Sequence, residues 1–241
     1  MVKTIFSVVD PAEVPAVLGL AGVVDVKDAA KGPMEAPSVK TVKKVVELVG
    51  GMAPVSVALG EISGRGAKGI IKLAVSMSGA GADILKVCVS ETSGVAAAPV
   101  LHQLRQAVPP HVKLVGAGYA DPRIPSAAGV EELPYLAAAA GFEGVLVDTR
   151  VKNGRSVFTH LGFAKLSTFI IEAKMLGLFT AVSGCLDMES VLDIQRLQPD
   201  YAGFRSAVAL NGRAGIGIDA EKVAMLIREF SRGDHGAVMA G

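Results

Sequence analysis

The amino-acid sequence predicts a (β/α)8 barrel, the TIM-barrel fold, forming a single domain over residues 1–241. Short β-branched runs alternate with longer amphipathic or alanine-rich stretches along the chain, which is typical of βα units around a parallel sheet. Eight such units can be counted, and a barrel of this kind takes about 250 residues. The competing fold is a doubly wound open sheet, and the count of eight βα units favours the barrel.

The eight predicted strands are short apolar runs, most of them rich in valine and isoleucine. In chain order they span residues 4–9, 23–27, 55–59, 83–87, 113–117, 144–148, 179–183 and 201–205. The predicted helices span residues 11–19, 38–49, 67–79, 95–107, 131–140, 163–176, 187–197 and 219–231. No linker divides the chain, and only residues 233–241 are expected to form a loose tail.

Capping residues support these helix boundaries. Ser38 and Asp219 stand where a side-chain oxygen would cap the first turn of a helix. Gly50, Gly51 and Gly177 stand where a left-handed residue would end one.

Composition excludes several classes of function. The chain has 24 Lys and Arg against 23 Asp and Glu, which gives no basic excess to bind nucleic acid. No apolar stretch approaches membrane-spanning length, so we expect a cytoplasmic protein without a membrane partner. The four histidines are scattered, and Cys88 and Cys185 are predicted to be two small buried thiols. We therefore expect no metal and no cofactor, and the oligomeric state stays open.

Two lysines carry the strongest chemical signal, because Lys27 and Lys86 each close an apolar run that is predicted to be a buried strand. A buried ammonium is costly to desolvate, so such a lysine tends to become a nucleophile or base near neutral pH. Asp25, Asp148 and Lys152 fall at the same, carboxyl end of the predicted strands, where barrel active sites lie.

An alternative is that Lys27 with Asp148, or Lys86 with Asp25, form buried ion pairs that merely plug the barrel. Three amines at one rim favour chemistry, because neighbouring cations lower one another's pKa.

The last two strands predict a phosphate site, the usual use of that corner of the barrel. Its candidate residues follow strands seven and eight and are Ser183, Gly184, Gly203, Arg205 and Ser206. Glycine lets backbone N–H groups approach an anion, and arginine supplies a fork of donors. Ordinary turn glycines with a surface arginine are the alternative.

Two weaker features are left open. Residues 31–37 form a loop after Lys27 that either closes over a substrate or simply connects two elements. Asp121 either orients a catalytic group or caps a turn.

Together these residues resemble the (5-formylfuran-3-yl)methyl phosphate synthases, also called 4-(hydroxymethyl)-2-furancarboxaldehyde-phosphate synthases, of methanofuran biosynthesis. The resemblance covers nearly the whole chain. Its motifs are Asp25-Val26-Lys27, Lys86-Val87, Ala117-Gly118-Tyr119-Ala120-Asp121, Asp148-Thr149, Lys152-Asn153-Gly154 and the segment with Gly203 and Arg205.

The resemblance implies that two molecules of glyceraldehyde 3-phosphate are joined into a furan aldehyde with loss of one phosphate and two waters. It implies that Lys27 forms an imine and that Lys86 abstracts a proton, with Asp25, Asp148 and Lys152 in support. The loops at residues 28–33 and 60–65 look unlike those of archaeal members.

Two other functions fit the same residues. A generic class I aldolase acting on triose phosphates would also use a lysine imine and a phosphate corner. A non-catalytic triose-phosphate-binding protein would use the lysines only as anion contacts. Formation of an imine and the identity of the product distinguish the three.

Overall fold

The computed structural model describes residues 1–89, 94–121, 129–211 and 216–236. Eight parallel strands close into a barrel in chain order, and the last strand pairs with the first, as the sequence predicts. The strands are β1 (Lys3–Val8), β2 (Val23–Val26), β3 (Val55–Glu61), β4 (Ile84–Cys88), β5 (Lys113–Tyr119), β6 (Gly144–Asp148), β7 (Phe179–Val182) and β8 (Tyr201–Phe204).

Helices follow the strands and surround the barrel. They are α1 (Val14–Val17), α2 (Val39–Val49), α3 (Ile62–Ser78), α4 (Gly94–Ala107), α5 (Leu133–Ala139), α6 (Val157–Met175), α7 (Ser190–Leu197) and α8 (Ala220–Gly236). Short 3-10 turns at Pro11–Glu13 and Ser206–Val208 precede α1 and follow β8.

Helices α3 and α6 begin earlier than the sequence pattern predicts. Each contains a glycine with non-helical backbone angles, Gly66 (φ 65°) and Gly162 (φ 73°), which separates a first turn from the main helix. The predicted helices begin at the residue after each kink, because the amphipathic pattern belongs to the main segment only. Helix α8 extends to Gly236, past residue 233 where the tail was expected to begin, and residues 237–241 lie outside the described residues.

The predicted caps are present. The Ser38 hydroxyl accepts a hydrogen bond from the Thr41 N–H at 3.0 Å, and the Asp219 carboxylate accepts from the N–H groups of Glu221 and Lys222. Gly50 ends α2 in the left-handed region (φ 57°), where a residue without Cβ is not strained.

Two apolar layers hold the barrel. The larger lies between the strands and the helices, and the smaller fills the barrel interior. The interior layer comprises Val23, Met34, Ile84, Cys88, Val115, Ala117, Tyr119, Leu146 and Ala181. Cys88 is buried as predicted, but Cys185 is only half-buried, because it lies on the loop after β7 with a left-handed backbone (φ 51°). In the part of the chain that the structure describes, no helix could cross a membrane.

Candidate active site

Strand alternation directs the charged residues into the barrel. Residues 23, 25 and 27 share one face of β2 and its carboxyl end, and Val23 belongs to the interior layer, so the side chains of Asp25 and Lys27 also point inward. Lys86 lies between the interior residues Ile84 and Cys88 on β4 in the same way. The side chains of Asp25 and Lys86 are 2% and 7% exposed. The sequence therefore places costly charges inside the carboxyl half of the barrel.

Asp25 forms a buried ion pair with Lys86. Its carboxylate lies 2.5 Å from the Lys86 amine and accepts hydrogen bonds from the hydroxyls of Ser7 (2.9 Å) and Ser56 (2.6 Å). Burial alone would raise the pKa of Asp25, but the positive charges of Lys86 and Lys27 lower it below the usual value. Asp25 therefore stays ionised.

Asp148 forms a second buried ion pair, with Lys152. The Lys152 amine donates to the Asp148 carboxylate and, at 3.1 Å, to the Thr149 hydroxyl. The Thr149 N–H donates to the same carboxylate at 2.8 Å. Burial opposes ionisation here too, but the charges of Lys152 and Lys27 lower the pKa of Asp148.

Lys27 is the third amine of the cluster and belongs to neither of these two ion pairs. Within the described part of the chain, no carboxylate oxygen lies within the 4.0 Å ion-pair distance of its amine. Burial lowers its pKa from 10.5 to about 8; Asp148 and Asp25 oppose this shift, and the positive charges of Lys86 and Lys152 add to it. Lys27 is therefore a candidate for the reactive amine of the cluster.

The three lysines thus differ in their carboxylate partners, which the sequence does not show. Lys86 lies in a buried ion pair with Asp25, whereas no carboxylate of the described residues lies at ion-pair distance from Lys27. Of the two plugging pairs considered as an alternative, Lys86 with Asp25 is present, whereas Asp148 pairs with Lys152 and not with Lys27.

The predicted phosphate residues line a cavity beside Lys27. This corner is lined by Ser183, Gly184, Gly203, Arg205 and Ser206 together with Ser7, Lys27, Asp148, Lys152, Cys185, Leu186 and Phe204. Its free volume is about 20 Å³, room for about one water molecule. A phosphate would enter only if the loops after β7 and β8 move apart.

Two glycines of this corner stand where a Cβ atom would meet a neighbouring residue. A Cβ on Gly203 would lie 2.0 Å from the Ser183 hydroxyl oxygen, and one on Gly184 (φ 110°) would lie 2.8 Å from the Thr149 nitrogen. The backbone at these two glycines therefore lies close to its neighbours in this structure.

Arg205 lines this corner and is held by a buried carboxylate. Its guanidinium forms a two-pronged ion pair with the buried carboxylate of Glu13 (2.8 and 2.9 Å) and donates to the Ser7 carbonyl at 3.2 Å. Glu13 also accepts from the N–H groups of Val9 and Gly217. Arg205 thus joins the end of β8 to the loop after β1, and it shapes the corner through this pair.

A further polar network was missed by sequence reasoning. The Glu61 carboxylate at the end of β3 accepts hydrogen bonds from the Tyr119 hydroxyl (3.1 Å) and the Arg150 guanidinium (2.7 Å). The guanidinium also lies 4.6 Å from the centre of the Tyr119 ring. Burial, together with Cys88 and Glu61, raises the pKa of Tyr119, which keeps its proton. The position of Glu61 directly after an apolar strand was the available signal.

The structure shows the contacts of Asp121 and of the loop at residues 31–37, whose roles the sequence left open. The Asp121 carboxylate accepts from the backbone N–H groups of Arg150 (2.5 Å) and Val151 (2.9 Å), so it holds the loop after β6. In the loop after β2, Met34 is 1% exposed and packs into the interior layer of the barrel. The loop therefore folds over the barrel mouth.

The described residues contain no group of three or more His, Cys, Asp or Glu side chains arranged to hold a metal ion. Fold and site together define a barrel protein with a buried lysine cluster at the carboxyl ends of its strands.

Comparison with known proteins identifies the family. Residues 5–227 match the family model described as 4-HFC-P synthase. The (5-formylfuran-3-yl)methyl phosphate synthase of Methanosarcina acetivorans is 32% identical over 88% of this chain and 92% of its own length. The enzyme of the same name from Archaeoglobus fulgidus is 29% identical over 89% of this chain and 93% of its own. The chain belongs to the 4-HFC-P synthase family, and is thus an enzyme of the synthase class.

Solved structures agree on the fold. The 3-hexulose-6-phosphate synthase of Salmonella typhimurium superimposes with a TM-score of 0.67, at 17% identity, over 95% of this chain and 99% of that chain. The phosphoribosyl anthranilate isomerase of Thermus thermophilus gives 0.63, at 13% identity, over 95% and 98%.

The pH dependence of stability tests the burial of Lys27. Because its pKa falls from 10.5 to about 8 on folding, the folded state binds fewer protons between these values, and wild-type stability rises with pH there. Lys27→Met removes this penalty. Its free energy of unfolding relative to wild type should be about 2–3 kcal/mol higher at pH 7 than at pH 10. Urea unfolding measures it, with exposed Lys40→Met as the control; the same relative stability at both pH values would contradict the prediction.

Substitution of Arg205 tests its pairing with Glu13. Arg205→Met leaves a buried carboxylate without its cation, so the free energy of unfolding should fall by about 3–5 kcal/mol. Arg196→Met, at a residue whose side chain is 76% exposed, is the control and should change it by about 0.5 kcal/mol or less. A stable Arg205→Met variant that has lost only affinity for phosphorylated substrate would instead make Arg205 a phosphate ligand.

Proposed function

We propose that this chain condenses two molecules of glyceraldehyde 3-phosphate to (5-formylfuran-3-yl)methyl phosphate for methanofuran-type cofactor biosynthesis. One phosphate and two waters leave, which makes it a carbon–oxygen lyase acting on phosphates. The observation that carries the proposal is the buried Lys27 amine, with a pKa of about 8 and no carboxylate of the described residues at ion-pair distance. The names of the family and its relatives supply the product.

Lys27 is the imine-forming residue in this proposal. With a pKa of about 8, about one-tenth of the amine is neutral at pH 7. The neutral nitrogen attacks a triose carbonyl and water leaves. Asp25 and Asp148, both ionised and close enough to act on the Lys27 charge, stabilise the positive charge of the imine that replaces the ammonium.

Lys86 is the proposed proton-transfer residue. In this step Lys86 first releases one proton to solvent, while Asp25, 2.5 Å away, keeps its negative charge and holds the amine in place. The neutral amine can then take the proton beside the substrate aldehyde, giving an enediolate that adds to the second triose. Ser7 and Ser56 keep Asp25 oriented during this transfer.

Asp148 and Lys152 are proposed to assist the eliminations. The Lys152 ammonium is anchored on Asp148 and Thr149 beside Lys27, where it can protonate a departing hydroxyl or stabilise a departing phosphate. Aromatisation of the ring then makes the sequence irreversible. None of these steps calls for a redox cofactor or a metal.

The phosphate that remains on the product is proposed to bind at the corner after β7 and β8. Backbone N–H groups at Gly184 and Gly203 and the hydroxyls of Ser183 and Ser206 are its donors, and Arg205 positions them through Glu13.

Incubation with glyceraldehyde 3-phosphate alone tests the proposal. Furan-aldehyde ultraviolet absorbance and free phosphate should appear in a one-to-one ratio. An aldol product without absorbance would identify a class I aldolase. If the substrate is unchanged and no imine forms, the chain is a triose-phosphate-binding protein.

Trapping the imine tests the role of Lys27. Borohydride reduction in the presence of substrate should add a triose-derived mass to the peptide that contains Lys27. Trapping should increase between pH 7 and pH 9, because the neutral amine becomes the major form. Lys152→Met, which keeps Lys27, is the comparison variant and should still be labelled. A label confined to Lys86 or Lys152 in the wild type would overturn the assignment.

Hydrogen exchange tests the role of Lys86. Lys86→Met removes the base, so exchange of the substrate α-proton with solvent deuterium, followed by NMR, should fall at least a hundredfold. Imine trapping at Lys27 should persist, since that attack needs no help from Lys86. Exchange at the wild-type rate would transfer the base role to Lys152 or Asp148.

A further inference from the structure

A second cavity opens on the catalytic face of the barrel, with a free volume of about 440 Å³. Its walls come from the loop after β2, the ends of β3 and β5, the first turn of α3 and the loop after β6. In an eight-stranded barrel β3 faces β7, so this rim cavity lies across the mouth from the phosphate corner. The charged and polar residues that line it are Lys31, Glu35, Glu61, Arg65, Tyr119 and Arg150.

We propose that the rim cavity binds the phosphoryl group of the second triose phosphate. The inference rests on the proposed function, because a condensation of two phosphorylated trioses needs two phosphate sites at once. The corner after β7 and β8, with about 20 Å³ of free volume, is too small to take both.

The charges of the rim cavity suit an anion. Three cationic side chains line it, and each has a carboxylate partner: Lys31 pairs with Asp28, Arg65 with Glu35 and Arg150 with Glu61. An anion can therefore bind by replacing one of these carboxylates. Arg150 is fixed by Glu61 and the Tyr119 ring and is 10% exposed. This buried pair therefore forms a fixed part of the cavity wall.

Arg65 is the proposed phosphate ligand. Its guanidinium is 37% exposed and pairs with Glu35, 33% exposed, at 3.0 Å. Such an exposed pair, joined by a single contact between nitrogen and oxygen, contributes little to stability. A phosphate dianion carries more charge and can accept two hydrogen bonds from the guanidinium. A phosphate can therefore replace Glu35 as the partner of Arg65.

Tyr119 connects the rim cavity to the lysine cluster. It lines the rim cavity and belongs to the interior layer of the barrel, and its neighbour in register on β6 is Asp148. A triose phosphate with its phosphate on Arg65 would therefore extend past Tyr119 toward the reacting amines.

Calorimetric titration with glycerol 3-phosphate tests the site without turnover, because this molecule has no carbonyl and forms no imine. The wild type should bind two molecules per chain and Arg65→Gln one. Arg155→Gln, at an exposed residue of the loop after β6, is the matched control and should still bind two. One site in the wild type, or two in Arg65→Gln, would overturn the proposal.

Substitutions at Arg65 and at Glu35 show whether Arg65 binds phosphate or only holds the loop through its ion pair. Arg65→Gln should raise the half-saturating glyceraldehyde 3-phosphate concentration about tenfold, whereas Glu35→Gln, which removes the competing carboxylate, should lower it. If the pair only held the loop, both variants would shift it in the same direction. A wild type that makes no furan aldehyde would refute the proposed function and leave the glycerol 3-phosphate stoichiometry to decide the rim cavity separately.

Discussion

Charge compensation inside a closed barrel is the constraint on which this structure depends. Three lysine amines and two carboxylates share a space from which water is largely excluded, and a buried charge is stable only when it is paired. Asp25 forms an ion pair with Lys86, and Asp148 forms one with Lys152. The third amine, Lys27, is left without a carboxylate of its own in the described structure, and its pKa falls to about 8. The chemistry proposed for the chain follows from this excess of one amine over the carboxylates.

The backbone around the cluster is fixed by contacts that carry no chemistry themselves. The pair between Glu13 and Arg205 closes the barrel where β8 meets β1, and it fixes the backbone beside the corner after β7 and β8. Gly203 lets Ser183 approach that backbone. A rigid scaffold of this kind holds donors in place at low entropic cost when a ligand binds.

On the opposite side of the mouth, the structure joins the segment after β2 to the first turn of α3. Glu35 lies just beyond residues 28–33 and Arg65 ends residues 60–65, and the two side chains pair at 3.0 Å. Met34, anchored in the barrel interior, brings the first segment within reach of the second. The two segments therefore form one unit, which fits a shared role in holding a substrate.

The sequence by itself determined the barrel, its strand order, its caps and the inward direction of Asp25, Lys27 and Lys86, because these follow from local periodicity and short-range hydrogen bonds. Only the tertiary structure decided which charges pair. Glu13 and Arg205 are 192 positions apart, and Asp25 reaches Lys86 across β3. Strand register and loop conformation determine such pairs, and neither can be predicted from local sequence patterns. The same reason hid the network of Glu61, Tyr119 and Arg150, whose members lie on separate strands and loops and are joined only when the barrel closes.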